Sequence, residues 1–166
     1  MPSQAVFRIR NARPGDAGMV LGFIRELAGY EKLTHEVIAT EQDIHAALFG
    51  PRPAAECVIA ELGGQPIGFA LFFHNFSTFL GKSGLYLEDL YINPEFRGRG
   101  YGRRLLAYLA RLAVHRDCGR LEWAVLDWNA PAIRFYESLG ARVVGEWKIN
   151  RMSGAALSRL ATEAGD

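Results

Sequence analysis

The chain has 166 residues, 49% hydrophobic and 22% charged, with a formal net charge of +1. That length and composition suit one compact domain over residues 1–166, and the charge balance gives no basic face for nucleic acid and no sign of an anionic membrane partner. The opening MPSQAVFRIR lacks the apolar stretch of a signal peptide and no apolar run reaches the roughly 18 residues of a membrane span, so a cytoplasmic protein is expected.

Val6 to Arg10 alternates apolar and charged residues like an edge strand, and Pro14-Gly15-Asp16 offers a turn with Asp16 as the N-cap of a helix to about Gly29. Thr40 and Asp43 form a capping-box pattern, and Ile44, Ala47 and Leu48 share one face of the helix it opens, which Gly50-Pro51 ends. Cys57–Leu62 and Ile67–Phe73 read as strands flanking a Gly63-Gly64 hairpin turn, where glycine accepts positive φ at both central positions. A loop over 75–84 leads into Leu85–Ile92, a buried strand closed by Pro94. RGRGYG at 97–102 then opens a helix with Leu105, Leu106, Leu109, Leu112 and Ala113 on one stripe. Leu121–Leu126 reads as a strand, Ala130–Leu139 as a helix with Gly140 at its C-terminal cap, 141–149 as a last strand and 155–161 as a final helical turn or two. This order excludes a helical bundle and an alternating doubly wound sheet. Cys57 and Cys118 show no metal-binding or disulfide pattern, and His35, His45, His74 and His115 have no ligand spacing, so no metal is expected.

A strand ending at Pro94, a glycine-rich turn and a long helix place backbone N–H groups at the positive end of a helix dipole, an arrangement suited to a phosphate or pyrophosphate. The P-loop pattern is excluded: the one Gly-Lys-Ser, at 81–83, lacks a glycine at position 76. The dinucleotide fingerprint fails because Arg103 stands where its third glycine belongs. What remains is R-x-x-G-x-G at Arg97, Gly100 and Gly102; on the residues alone, a turn that only reverses the chain stays open.

This motif resembles the acetyl-CoA pyrophosphate motif of the GNAT acetyltransferases. IRELAGYEKL at 24–33, YLEDLYINPEFRGRGYG at 86–102, AVLDWNAPAIRFYESLGA at 124–141 and Trp147 are similar, in the same order, to the diamine N-acetyltransferase branch, and AVLDWN and YEKL lie nearer its thialysine-type members. The resemblance implies an α+β (α/β) fold with a mixed, mostly antiparallel sheet of six to seven strands flanked by helices. It implies an N-acetyltransferase with acetyl-CoA as donor, a small polyamine-like or lysine-like amine as acceptor, and a homodimer. It assigns the backbone of Leu90, Tyr91 and Ile92 to the acetyl and pantetheine groups. The turn Arg97, Gly98, Arg99, Gly100, Tyr101, Gly102 and Arg103 goes to the pyrophosphate, and Asn129 also goes to the coenzyme. Tyr136 is the catalytic tyrosine, with Tyr30, Glu31 and Glu88 facing the acceptor. Phe79 stands where relatives often carry tryptophan, and Gly145-Glu146-Trp147 replaces their Glu-Gly-Trp, so Glu146 receives no role.

The chemistry fits these residue types. Freeing the lone pair of an alkyl ammonium of pKa near 10.4 at neutral pH costs roughly 4.6 kcal/mol, so a base or water relay is required. Glu88 is placed to accept that proton or to attract the cation, and Glu31 to attract it. Direct attack in a ternary complex needs no enzyme nucleophile, and a tyrosine hydroxyl at Tyr136 suits the departing thiolate. A catalytically idle acyl-CoA-binding module, an acetyltransferase of protein amines and a pure interaction domain are the competing classes.

Overall fold

A computed structural model describes residues 5–164. The chain divides into two compact units, Met1–Leu126 and Asp127–Asp166.

The first unit is built on a five-stranded sheet in the order β1 (Phe7–Asn11), β2 (Glu56–Leu62), β3 (Gln65–Ser77), β4 (Lys82–Ile92) and β5 (Leu121–Trp123). The first three pairings are antiparallel and β4 with β5 is parallel. One face of the sheet carries α1 (Ala17–Tyr30) and α2 (Glu41–Phe49), where Val20, Phe23 and Leu48 pack on Cys57, Ile59, Phe69 and Tyr91. The remaining long helix of this unit, α3 (Tyr101–His115), buries Leu105, Leu106, Leu109 and Ala113 of the stripe that helical periodicity predicted, while Leu112 at its margin is half-buried. Each of its buried leucines contributes about 1.5–3 kcal/mol by leaving water.

Several local expectations hold. Thr40 and Asp43 form the reciprocal capping box of α2, and Gly63 and Gly64 turn the β2–β3 hairpin at φ of 59° and 85°. Others are corrected. Asp16 does not cap α1 with its side chain; its carboxylate accepts from the Arg13 N–H at 2.7 Å and from the Arg10 guanidinium at 2.7 Å. The span 75–84 is mostly sheet, because the β3–β4 hairpin continues to Ser77↔Lys82 and only residues 78–81 turn. Five strands are formed among the described residues where six to seven were expected: 141–149 carries no strand, and β5 stops at Trp123 rather than Leu126. Apolar alternation marks a segment able to pair, but a ladder also needs a partner strand, and the sequence supplies only the first.

In the second unit, α4 (Ala130–Ser138) is followed by residues 141–152 without regular structure and by α5 (Gly154–Ala161). α4 ends as expected: Gly140, at φ 92°, donates to Glu137 O and Ala141 donates to Tyr136 O, the double bond of a Schellman cap.

Candidate active site

The site in the first unit begins with an irregularity in β4. Leu71 pairs with Asp89 and Phe72 with Leu87, so Glu88 is an extra residue opposite no partner on β3. Before this bulge, Leu85 N–H donates to Arg120 O, which turns Leu85 and Leu87 toward β5. After it, Asn93 N–H donates to Ile67 O; by strand alternation Asp89 and Tyr91 face β3 while the N–H and C=O of Leu90 and Ile92 face away from it. β5 pairs only with residues 85–87. The bulge therefore directs the Leu90 and Ile92 amides to an edge that no strand covers among the described residues.

Carboxylates gather beside this edge. Asp89 has its carboxyl pushed up to about 6, first by burial and then by the negative charges of Glu88 and Glu31. Burial also raises Glu31 above the ordinary carboxylate range. Glu31 is the C-cap of α1, held in place by a turn in which Lys32 takes φ 61° while Leu33 N–H donates to Ala28 O at 2.8 Å. Glu88 is exposed, and its charge also raises the Tyr86 hydroxyl, whose largest influence is burial. Sequence reasoning selected Glu88 and Glu31 but missed Asp89. The adjacent Glu-Asp pair was a visible signal; the bulge that gives each acid its own environment was not.

Beyond β4, Pro94–Phe96 forms a short 3-10 turn and the chain enters α3 through Gly98 at φ 73° and Gly100, its N-cap, at φ 80°. Both lie in the left-handed region, which an L side chain enters at about 1–2 kcal/mol. Gly102 differs: its backbone is helical, and beyond its chain neighbours and its own helix backbone a Cβ there would meet nothing within 4 Å. The fold itself gives no steric reason for that glycine, and the missing side chain leaves room for a group from outside. No acidic residue lies in the first turn of α3, and among the described residues Arg99, Arg103 and Arg104 form no ion pair. Arg99 stacks over Phe96 and Arg104 over Phe7, while the Tyr101 ring stacks on Phe7 at 4.7 Å. Cations at the positive end of a helix dipole are unfavourable until an anion joins them. Open amides, absent side chains and uncompensated arginines thus fit a diphosphate.

Arg97, the first residue of the motif, is engaged by the protein. Its Nε–H donates to Ile92 O at 2.8 Å, and its guanidinium lies over the rings of Tyr30 at 4.9 Å and Tyr91 at 5.3 Å. The Tyr91 hydroxyl donates to Glu26 at 2.7 Å and is raised to about 12, by burial first and by Glu26 next. Tyr30 sits on the last turn of α1.

In the second unit Asn129 is buried and caps α4, its side-chain oxygen accepting from Ala132 N–H at 3.4 Å. Tyr136 lies half-buried on the same helix, its ring centroid 5.5 Å from that of Phe135. No group of three or more His, Cys, Asp or Glu side chains is poised to hold a metal among the described residues.

A sequence model of the acetyltransferase (GNAT) family matches residues 23–141. The chain belongs to the GNAT acetyltransferase family. It is 39% identical, over 95% of its length and 98% of the relative, to a thialysine N-epsilon-acetyltransferase of Bos taurus. It is 33% identical to the L-ornithine N5-acetyltransferase NATA1 of Arabidopsis thaliana over 92% of this chain and 87% of that one. Among solved structures, an integron cassette protein from the mobile metagenome of V. cholerae superposes with a TM-score of 0.78 at 28% identity, covering 93% of this chain and 97% of that chain. The GNAT fold expected from sequence is therefore present, and the protein is an N-acetyltransferase. GNAT acetyltransferases use acetyl-CoA.

Proposed function

We propose that this GNAT enzyme acetylates the side-chain amine of a small lysine-like or diamine substrate, thialysine or ornithine among the candidates, by direct transfer in a ternary complex. The observation that carries the reading is the Glu88 bulge, which sets two outward amides beside a cluster of three carboxylates. The names of the relatives, thialysine and ornithine acetyltransferases, support the acceptor class.

The amides of residues 98–103 hold the coenzyme diphosphate, with Arg99 and Arg103 balancing its charge. Asn129 is assigned to the coenzyme by the resemblance stated above. The donor supplies a thioester whose carbonyl carbon accepts the amine. The outward N–H groups of Leu90 and Ile92 stabilise negative charge developing on the carbonyl oxygen, a contribution of about 2.7–4 kcal/mol per donor at comparable sites.

Glu31 and Glu88 draw the ammonium in. Asp89 takes its proton, directly or through water. A carboxylate of pKa about 6 is a stronger base by about two units than an ordinary aspartate. That narrows the uphill proton transfer from an alkyl ammonium by about 3 kcal/mol while the acid stays ionised at neutral pH. Glu88, exposed and next in the chain, is the relay or cation-binding partner. The same resemblance assigns Tyr136 as the acid that gives the departing thiolate a proton.

The family match runs across the division at residue 126, which supports both units serving one acetyltransferase domain over 1–166. A homodimer in the cytoplasm completes the proposal; no helix of the described residues is long and apolar enough to cross a membrane. The test is thiol release from acetyl-CoA against thialysine, ornithine, lysine, spermidine and N-terminal peptides. Turnover of the small amines supports the reading, and turnover of peptides alone overturns it.

A further inference from the structure

We infer that Arg97 is a positioning residue that ties the coenzyme turn to the acceptor wall, and not a ligand of the diphosphate. The inference rests on the acetyl-transfer reading above and adds a residue to its machinery.

Arg97 leaves the 3-10 turn immediately before Gly98, yet its side chain runs back along the protein. Its Nε–H meets Ile92 O at 2.8 Å, and that carbonyl lies on the outward edge of β4, where no neighbouring strand holds the backbone among the described residues. The guanidinium supplies a bond that a sheet partner supplies elsewhere, at the residue whose own N–H is one of the two outward amides.

The same cation lies against two rings, Tyr30 from the end of α1 and Tyr91 from β4. Tyr91 is fixed in turn by its hydrogen bond to Glu26 of α1. A planar guanidinium can donate in its plane and stack on its faces together, which a lysine ammonium cannot. The end of α1, the edge of β4 and the start of the coenzyme turn therefore meet on one side chain. Rotating Arg97 toward an anion would require leaving Ile92 O and both rings.

The phosphate-facing charge falls instead to Arg99 and Arg103. Loss of Arg97 should spare coenzyme binding, misalign the Leu90 and Ile92 amides, and loosen Tyr30 at the acceptor wall.

The test uses the full-length protein with Arg97→Gln and Arg97→Lys, thialysine as acceptor, and two donors, acetyl-CoA and S-acetylpantetheine, the second of which has no diphosphate. The expected result is a fall in kcat of about tenfold or more for Arg97→Gln, by the same factor with either donor, in keeping with loss of a charge-assisted hydrogen bond and its stacking. Arg97→Lys restores little of the rate, and the calorimetric Kd for CoA stays within about threefold of wild type for both variants. A penalty that vanishes with S-acetylpantetheine, or a Kd weakened about tenfold by Gln and restored by Lys, overturns the inference in favour of a phosphate ligand; so does unchanged kcat. The melting temperature without coenzyme or amine gives a readout independent of turnover: it falls for Arg97→Gln, and an unchanged value counts against the inference. If the wild type acetylates no amine, the substrate reading fails by itself, and the CoA titration and coenzyme-free melting still decide the place of Arg97.

Discussion

Replacing Asp89 by asparagine removes a carboxyl that the fold holds at about 6 against an ordinary 3.8. The sign follows from linkage: a raised carboxyl pKa means that the folded state favours the protonated form, so ionisation costs stability. That cost is absent well below pH 3.8, grows as pH rises, and levels off above about pH 6. Two units correspond to at most about 3 kcal/mol at pH 8, and the difference between about pH 5 and pH 8 is about 1.5 kcal/mol. Asp89→Asn should therefore be more stable than wild type at pH 8 by up to about 3 kcal/mol, with the advantage shrinking toward pH 5. Urea unfolding of both proteins across this range measures it, and a stability difference that does not change with pH would refute the burial and charge crowding assigned to Asp89. The same variant should lose about 10²-fold or more in kcat, and the wild-type kcat/KM should rise with pH through about 6 as the base ionises. Greater stability with lost turnover is the pattern of a strained catalytic group.

Gly102→Ala should leave stability unchanged or raise it by up to about 1 kcal/mol, because alanine suits a helix better and meets nothing there beyond its own helix, while CoA affinity falls about tenfold or more; thermal melting and calorimetry separate the two effects. Leu109→Ala, at a fully buried position on the core face of α3, should cost about 2–5 kcal/mol in urea unfolding. Tyr136→Phe should lower kcat by about 10²-fold or more with CoA affinity nearly unchanged; wild-type turnover would remove Tyr136 as the acid.

Much of this architecture is legible in the sequence because its signals are local. The leucine stripe of α3, the Thr40–Asp43 box, the Gly63-Gly64 turn and the Gly140 cap each declare themselves within a few residues and are present as read. What is not legible depends on partners distant in the chain. Asp16 pairs with the Arg10 guanidinium, which Glu61 of β2 holds from its other side, and gives up the helix cap. Residues 141–149 have the pattern of a strand without forming one. At the site, the motif marks the turn and the family resemblance marks Glu88, but the bulge arises from the pairing of β3 with β4. It is that pairing which turns Leu90 and Ile92 outward and separates the environments of Glu88 and Asp89. The engagement of Arg97 with Ile92, Tyr30 and Tyr91 is hidden for the same reason: R-x-x-G-x-G states which residue stands first, not which way its side chain runs.

The central claim is that the backbone amides of the turn before α3 grip the coenzyme diphosphate. Titrating ¹⁵N-labelled protein with CoA and following each amide by NMR tests it most directly. Large shifts should appear at Gly98–Arg103, with smaller ones at Leu90 and Ile92, and pantetheine should reproduce only the second set. Binding that leaves the signals of Gly98–Arg103 in place would contradict the account.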